Sequence, residues 1–232
     1  MNKKLNALSL IITFLFLGLQ GQAQDSVRIQ FQLYNGNEPT EWGKKYISLK
    51  ADTFSIHTCK VYLSKFALTY QNKETAVLPN SYFLIDFSDP NTTKISLPIS
   101  PKKSINAISF TIGIDSASNT SGAQSGALDP TLGMYWSWQS GYVNWKIEGT
   151  SPSTKTRKNS FQFHIGGYLP PNLAARTVAF ECQKGTNNHV VRIQLEELFN
   201  QISLKETNTI MIPGKPANEL ANLFKTCFHY KP

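Results

Sequence analysis

Three of the chain's four tryptophans, Trp136, Trp138 and Trp145, fall in one segment, LGMYWSWQSGYVNWKIEG, Leu132–Gly149. A tryptophan offers a wide apolar face, a single N–H donor and an oxidisable ring. Three so close together suit a dense core patch, an aromatic binding platform, or chemistry on the indole itself. Met134 in the same segment adds a thioether, a soft donor suited to Cu(I). The other side chain with ligand chemistry is His164, in FQFHIGGY, Phe161–Tyr168. Alternation puts Phe161, Phe163 and Ile165 on one strand face and Gln162 and His164 on the other. His164 therefore points away from the buried side. It is there either a hydrogen-bonded histidine or a metal ligand, since neutral imidazole is a common ligand for copper and zinc.

Other constellations are thin. The remaining histidines are His57, His189 and His229. No H-x-H, H-x-x-x-H or H-E-x-x-H occurs, so spacing alone does not write a metal site. There is no G-x-S-x-G elbow, Walker loop or G-x-G-x-x-G. His57 and Cys59 share a strand face and invite a thiolate nucleophile, but that strand reads as buried and no third group orients the pair. Asp115 and Asp129 bracket a long loop. Their oxygens suit calcium, or they accept from backbone N–H groups in turns. With no acid–base pair or nucleophile constellation, the chain does not read as an enzyme.

The elements that must position these residues are strands. Val27, Ile29, Phe31 and Leu33 alternate with Arg28, Gln30 and Gln32. Similar runs cover His57–Tyr70, Tyr82–Phe87, Ile105–Ile114, Tyr142–Gly149, Phe161–Ile165, Thr177–Cys182 and Val190–Leu195. In Tyr142–Gly149, Val143, Trp145 and Ile147 face one way; Tyr142, Asn144, Lys146 and Glu148 face the other. Helical signals are limited to Leu195–Gln201 and a closing helix over Pro216–Phe228, with Pro in its first turn. This pattern predicts an all-β fold, an antiparallel β-sandwich with a short C-terminal helix. Asp115–Pro130, DSASNTSGAQSGALDP, is a polar loop of about 16 residues, a length that tends to be functional or mobile. We expect it, Met134–Tyr142 and His164 to line a pocket at one end of the sandwich.

The N-terminus says where the protein works. Lys3 and Lys4, an apolar run of about 12 residues and the small-x-small Gly21-Gln22-Ala23 form a secretory signal peptide, residues 1–23. The run is too short for a membrane span, which needs about 20 apolar residues. The expected product is a single domain, residues 24–232, in the periplasm or at the cell surface, with no span in the mature chain. The net charge of +8 is scattered; it suits solubility and attraction to anionic envelope surfaces rather than nucleic acid. Cys59, Cys182 and Cys227 suggest one disulfide and one free thiol in an oxidising compartment, with the pairing open.

Several motifs in consistent order are similar to the MbnP-like family. They are YLS (Tyr62–Ser64), FLIDF (Phe83–Phe87), FTIGID (Phe110–Asp115), LDPTLGMYWSWQSGY (Leu128–Tyr142), KIEG (Lys146–Gly149) and FHIGGY (Phe163–Tyr168). The family includes methanobactin-associated and copper-repressible periplasmic copper proteins. The resemblance implies a β-rich single domain in which a tryptophan is oxidised to kynurenine. It implies a di-haem peroxidase-like partner that performs the oxidation, and copper held by the modified residue with two histidines. Carried over, His164 matches the downstream histidine, and Trp136 or Trp138 the modified residue. Asp129–Tyr142 contains no histidine, so the second ligand has no counterpart there and only Met134 is at hand. Two functions follow: a copper-binding protein using His164, Trp136 or Trp138, or a non-catalytic surface module using that aromatic segment for a glycan or protein partner.

Overall fold

The computed structural model describes residues 25–100, 103–139 and 141–231. The predicted leader, Met1–Ala23, lies outside the described residues. Strand accounts for 45% and helix for 16%, which fits the predicted all-β sandwich with a short C-terminal helix.

Two sheets carry the fold. The smaller is ordered β15 (Phe228–Lys231), β13 (Asn188–Gln194), β1 (Ser26–Asn35) and β2 (Glu38–Pro39), with β7 (Lys94–Pro98) also paired to β1. The larger runs β12 (Arg176–Glu181), β8 (Ile105–Ile112), β4 (Thr53–Tyr70), β10 (Gly141–Thr150), β11 (Ser160–Gly166) and β14 (Thr209–Ile210). The short strands β3 (Tyr46–Ile47), β5 (Thr75–Val77) and β6 (Tyr82–Asp86) attach to β4, and β9 (Tyr135–Trp136) attaches to β10. The sheets are not purely antiparallel as expected: β1 pairs in parallel with β13, and β11 with β14. Parallel neighbours need only a long connection, and both pairs join segments far apart in sequence.

Alternation places the core as read. Val27, Ile29, Phe31 and Leu33 are buried from one sheet; Val61, Leu63, Phe66 and Leu68 from the other. Phe31 meets Phe110 edge-on at 5.6 Å, and Phe110 meets Phe228 at 6.1 Å. Two helices close the flanks. Phe199, on α2 (Leu195–Gln201; α1 is the loop helix Ser116–Thr120), stacks on Phe54 at 4.0 Å. Phe224, on α3 (Lys215–Thr226), stacks on Trp145 at 4.3 Å. The closing helix is shorter than predicted. It ends at Thr226, Cys227 caps it, and Phe228 starts an edge strand that buries the same aromatic face.

The cysteine expectation is corrected. Cys59, Cys182 and Cys227 are all free and buried, on β4, after β12 and after α3. Burial disfavours the thiolate: it raises the Cys182 pKa to about 11 and pushes those of Cys59 and Cys227 up as well. A bulge in the β4–β10 pairing skips His57, leaving it exposed while Cys59 is buried, so the two do not share a face. Without reductant, Ellman's reagent should find almost no reactive thiol in the native protein and three equivalents in denaturant. Fewer than two in denaturant would mean a disulfide forms.

Candidate functional site

The outer face of the larger sheet holds a second, smaller core. On β4, Val61 and Leu63 join the main core, whereas Tyr62 between them belongs to a cluster with Ile114, Leu128, Met134, Trp136, Tyr142 and Val143. The connection from Asp115 to Gln139 is thus laid across the sheet's outer face, not over one end of the sandwich as expected. A sheet face that presents Tyr62 and Tyr142 outward leaves apolar area for that connection to cover.

The connection is ordered by its own polar groups. Asp115 caps α1, accepting from Ser118 N at 3.0 Å and from the Tyr82 hydroxyl at 2.6 Å. Asp129 caps a single 3-10 turn, Pro130–Leu132, accepting from Thr131 N at 2.8 Å. Both carboxylates therefore do turn work. Tyr62 donates to Ala127 O at 2.9 Å, and Tyr142 donates to Leu128 O at 3.0 Å. Burial pushes both phenols up, so they remain donors. Asn119 Oδ1 accepts from Tyr142 N at 2.7 Å. From the sheet, Lys146 Nζ donates to Gly133 O at 2.6 Å, and Lys60 Nζ to Leu132 O at 3.4 Å. Burial lowers the Lys146 pKa.

Strand β10 has a bulge. Val143 opposes Gly166 and Trp145 opposes Ile165, leaving Asn144 as the extra residue. The alternation predicted across Tyr142–Gly149 therefore breaks. Trp145 and Ile147 enter the main core, but Val143 joins Tyr142 in the outer cluster. Asn144 is buried and its Oδ1 accepts from Ile114 N at 3.1 Å. Gly113, at φ +112°, lies so close to Asn144 that a Cβ there would overlap its amide.

The sequence-predicted site residues divide. Trp136 is 6% exposed and Trp138 62%, with ring centroids 5.7 Å apart. A Cβ on Gly166 would come within 2.7 Å of the Trp136 ring, so Gly166 is the seat of that indole. His164 stands two residues before Gly166 on the same strand face. It is 7% exposed, and Glu148 Oε1 accepts from its Nε2 at 2.6 Å. An ionised carboxylate only accepts, so Nε2 carries a proton. Met134 is fully buried within the apolar cluster. The other histidines lie elsewhere: His57 meets Thr150 at 3.2 Å, His189 meets Tyr230 at 3.0 Å and His229 meets Glu197 at 2.9 Å.

Sequence reasoning missed Glu148 and Gly166. Each is defined by its neighbour on the adjoining strand, and only the β10–β11 register reveals it. These residues do not complete a copper centre of the two-histidine kind. One histidine is present, its Nε2 is engaged, and Met134 is enclosed among apolar groups. Among the described residues no three His, Cys, Asp or Glu side chains converge as a metal set.

The His164 hydrogen bond holds the Glu148 carboxyl down at about 2, below the usual carboxylate range. A depressed pKa contributes stability above the unfolded value, about 4.3, and loses it as pH falls toward 2. Glu148→Gln should therefore cost about 1–2 kcal/mol at neutral pH. The gap from wild type should close between pH 4.3 and 2 in urea melts. A gap independent of pH would show that the carboxylate charge is not what matters.

Fold and face together define a two-sheet β protein with a second aromatic core laid on one sheet. The MbnP family profile matches residues 24–212, and the chain belongs to that family. Among solved structures, MbnP from Methylosinus trichosporium has the same fold, with a TM-score of 0.60 and 14% identity over 84% of this chain and 87% of that one. No curated protein matches the sequence. No helix of the described residues is long and apolar enough to cross a membrane.

Proposed function

We propose that the protein is an exported, non-catalytic binding module whose working surface is centred on Trp138. One observation carries this reading: an indole 62% exposed is braced against a buried one, Trp136, which is seated on Gly166. A braced aromatic loses little freedom on binding, and exposed tryptophans are strong anchors of interfaces. The partner implied by the family resemblance is a di-haem peroxidase-like protein, which would meet Trp138 first. The leader-like segment Met1–Ala23 supports export to the periplasm or surface.

The test uses three forms of the exported protein. Trp138→Ala should melt with the wild type, within about 0.5 kcal/mol, because the side chain is at the surface. It should nevertheless lose the partner that wild type and Trp136→Phe retain from the native envelope. Equal retention by all three would overturn the reading. A copper titration followed by tryptophan fluorescence decides the rival. Saturable quenching that disappears in His164→Ala would replace the partner reading with a metal one. Peptide mapping checks the indoles directly: added oxygen mass at Trp136 or Trp138 would show that one of them is modified.

A further inference from the structure

We propose that the outer face of the smaller sheet, on the other side of the molecule's main core from Trp138, binds an acidic polysaccharide. The register sets out the face. Gln30 on β1 lies opposite Lys94 on β7 and Val190 on β13, and Val190 lies opposite Lys231 on β15. One row of side chains thus crosses four strands, with a lysine at each end about 14 Å apart at ordinary strand spacing. The flanking rows add Arg28, opposite Ser96 and Asn188, and Arg192, opposite Gln32 and His229. Arg28, Lys94 and Lys231 are exposed. Arg192 is held over the Tyr34 ring at 4.1 Å and donates to Gln32 Oε1 at 3.3 Å. A groove of about 410 Å³ runs along this row, lined by Arg28, Gln30, Lys94, Ser96 and Asn188 together with apolar groups that include Val190.

Charge complementarity names the occupant. Among the described residues none of the four cations has an ion-pair partner, whereas the nearby carboxylates Glu197 and Glu38 are taken by His229 and Lys44. Like charges gathered on one face are repulsive unless an anion joins them. The polar groups between them, Gln30, Ser96 and Asn188, suit sugar hydroxyls. None of the large exposed apolar side chains lies on this face, so it offers nothing to insert into a bilayer.

Alginate, a polyuronate, is the probe, with neutral dextran as control, measured by calorimetry on the leaderless protein. Alginate should bind, dextran should not, and raising salt from 50 to 300 mM should weaken binding. The double variant Arg28→Gln/Lys94→Gln should lose at least tenfold in affinity. Lys155→Gln/Lys158→Gln, with equal charge loss elsewhere, should lose less than twofold. Trp138→Ala should bind as wild type, which separates this face from the partner surface. Equal loss in the two double variants, or no alginate binding, would overturn the proposal. So would tighter binding to phosphatidylglycerol vesicles or duplex DNA than to alginate. Circular dichroism melts of both variants guard against unfolding.

Discussion

Trp145→Ala should lower stability by about 3–5 kcal/mol, the cost of deleting a large aromatic from a closed core. Trp145 is fully buried on β10 and stacks on Phe224 of α3 at 4.3 Å. The indole is thus one of the contacts between the larger sheet and the helix that covers it, beside the hydrogen bonds from Arg176 of β12 to Asn218 and Asn222. Removing it leaves a cavity beneath the helix face formed by Ala217, Leu220, Ala221 and Phe224. At about 2–4 °C per kcal/mol for a domain of this size, the melt should fall by roughly 6–20 °C. An unchanged melt would place Trp145 outside the core. Trp145→Phe, which keeps an aromatic on Phe224, should recover more than half of the loss.

Gly166→Ala should have the second large effect, at the site as well as on stability. The added Cβ would sit 2.6 Å from Tyr142 O and 2.7 Å from the Trp136 ring. The first of these is backbone and cannot turn aside. Overpacking of this kind costs about 1–3 kcal/mol. The easier movement is for Trp136 to lift, which removes the brace beneath Trp138. Tryptophan emission should shift to the red and acrylamide quenching should rise while the β signal in circular dichroism persists. A variant with wild-type emission would mean the indole is not seated on Gly166.

Much of the fold was legible in the residues because a strand with one buried face writes itself as alternation. Val27–Leu33, Phe161–Ile165 and Val190–Leu195 read correctly for that reason. Lys94–Pro98 was missed although Ile95 and Leu97 alternate. It is a five-residue edge strand ending in proline, too short to stand out. The Asn144 bulge left no trace, since the alternation of Tyr142–Gly149 is unbroken in the letters. Its cause is tertiary: Ile114 N needs the Asn144 oxygen, and Gly113 makes room for it.

At the site, the tryptophan segment and His164 were visible, and the structure does set Trp136 and His164 on one sheet face. The placement of the loop was not visible. Asp115–Pro130 looks like solvent-exposed chain because Ser, Gly and Asn dominate it. Its order comes from phenols on other strands, Tyr62, Tyr82 and Tyr142, which the sequence scatters over 80 positions. The disulfide expectation failed on similar grounds. Counting cysteines weighs the compartment, but a thiol in a packed core meets whatever its strand faces, and here that is not another thiol.

The parallel pairing of β1 with β13 has a consequence for how the molecule is made. Gln32 and Arg192 touch across 160 positions of chain. β1 stands in the middle of the smaller sheet, so three strands of that sheet depend on it or on β13. Contacts of such long range slow folding, because a large loop must close before they form. An emerging chain cannot complete this sheet until β13 has followed, when most of the polypeptide has already been made. The N-terminal strand must wait, with Val27, Ile29, Phe31 and Leu33 uncovered. In a protein built this way the first strand stays uncovered longest, and it is the segment a chaperone would most need to hold.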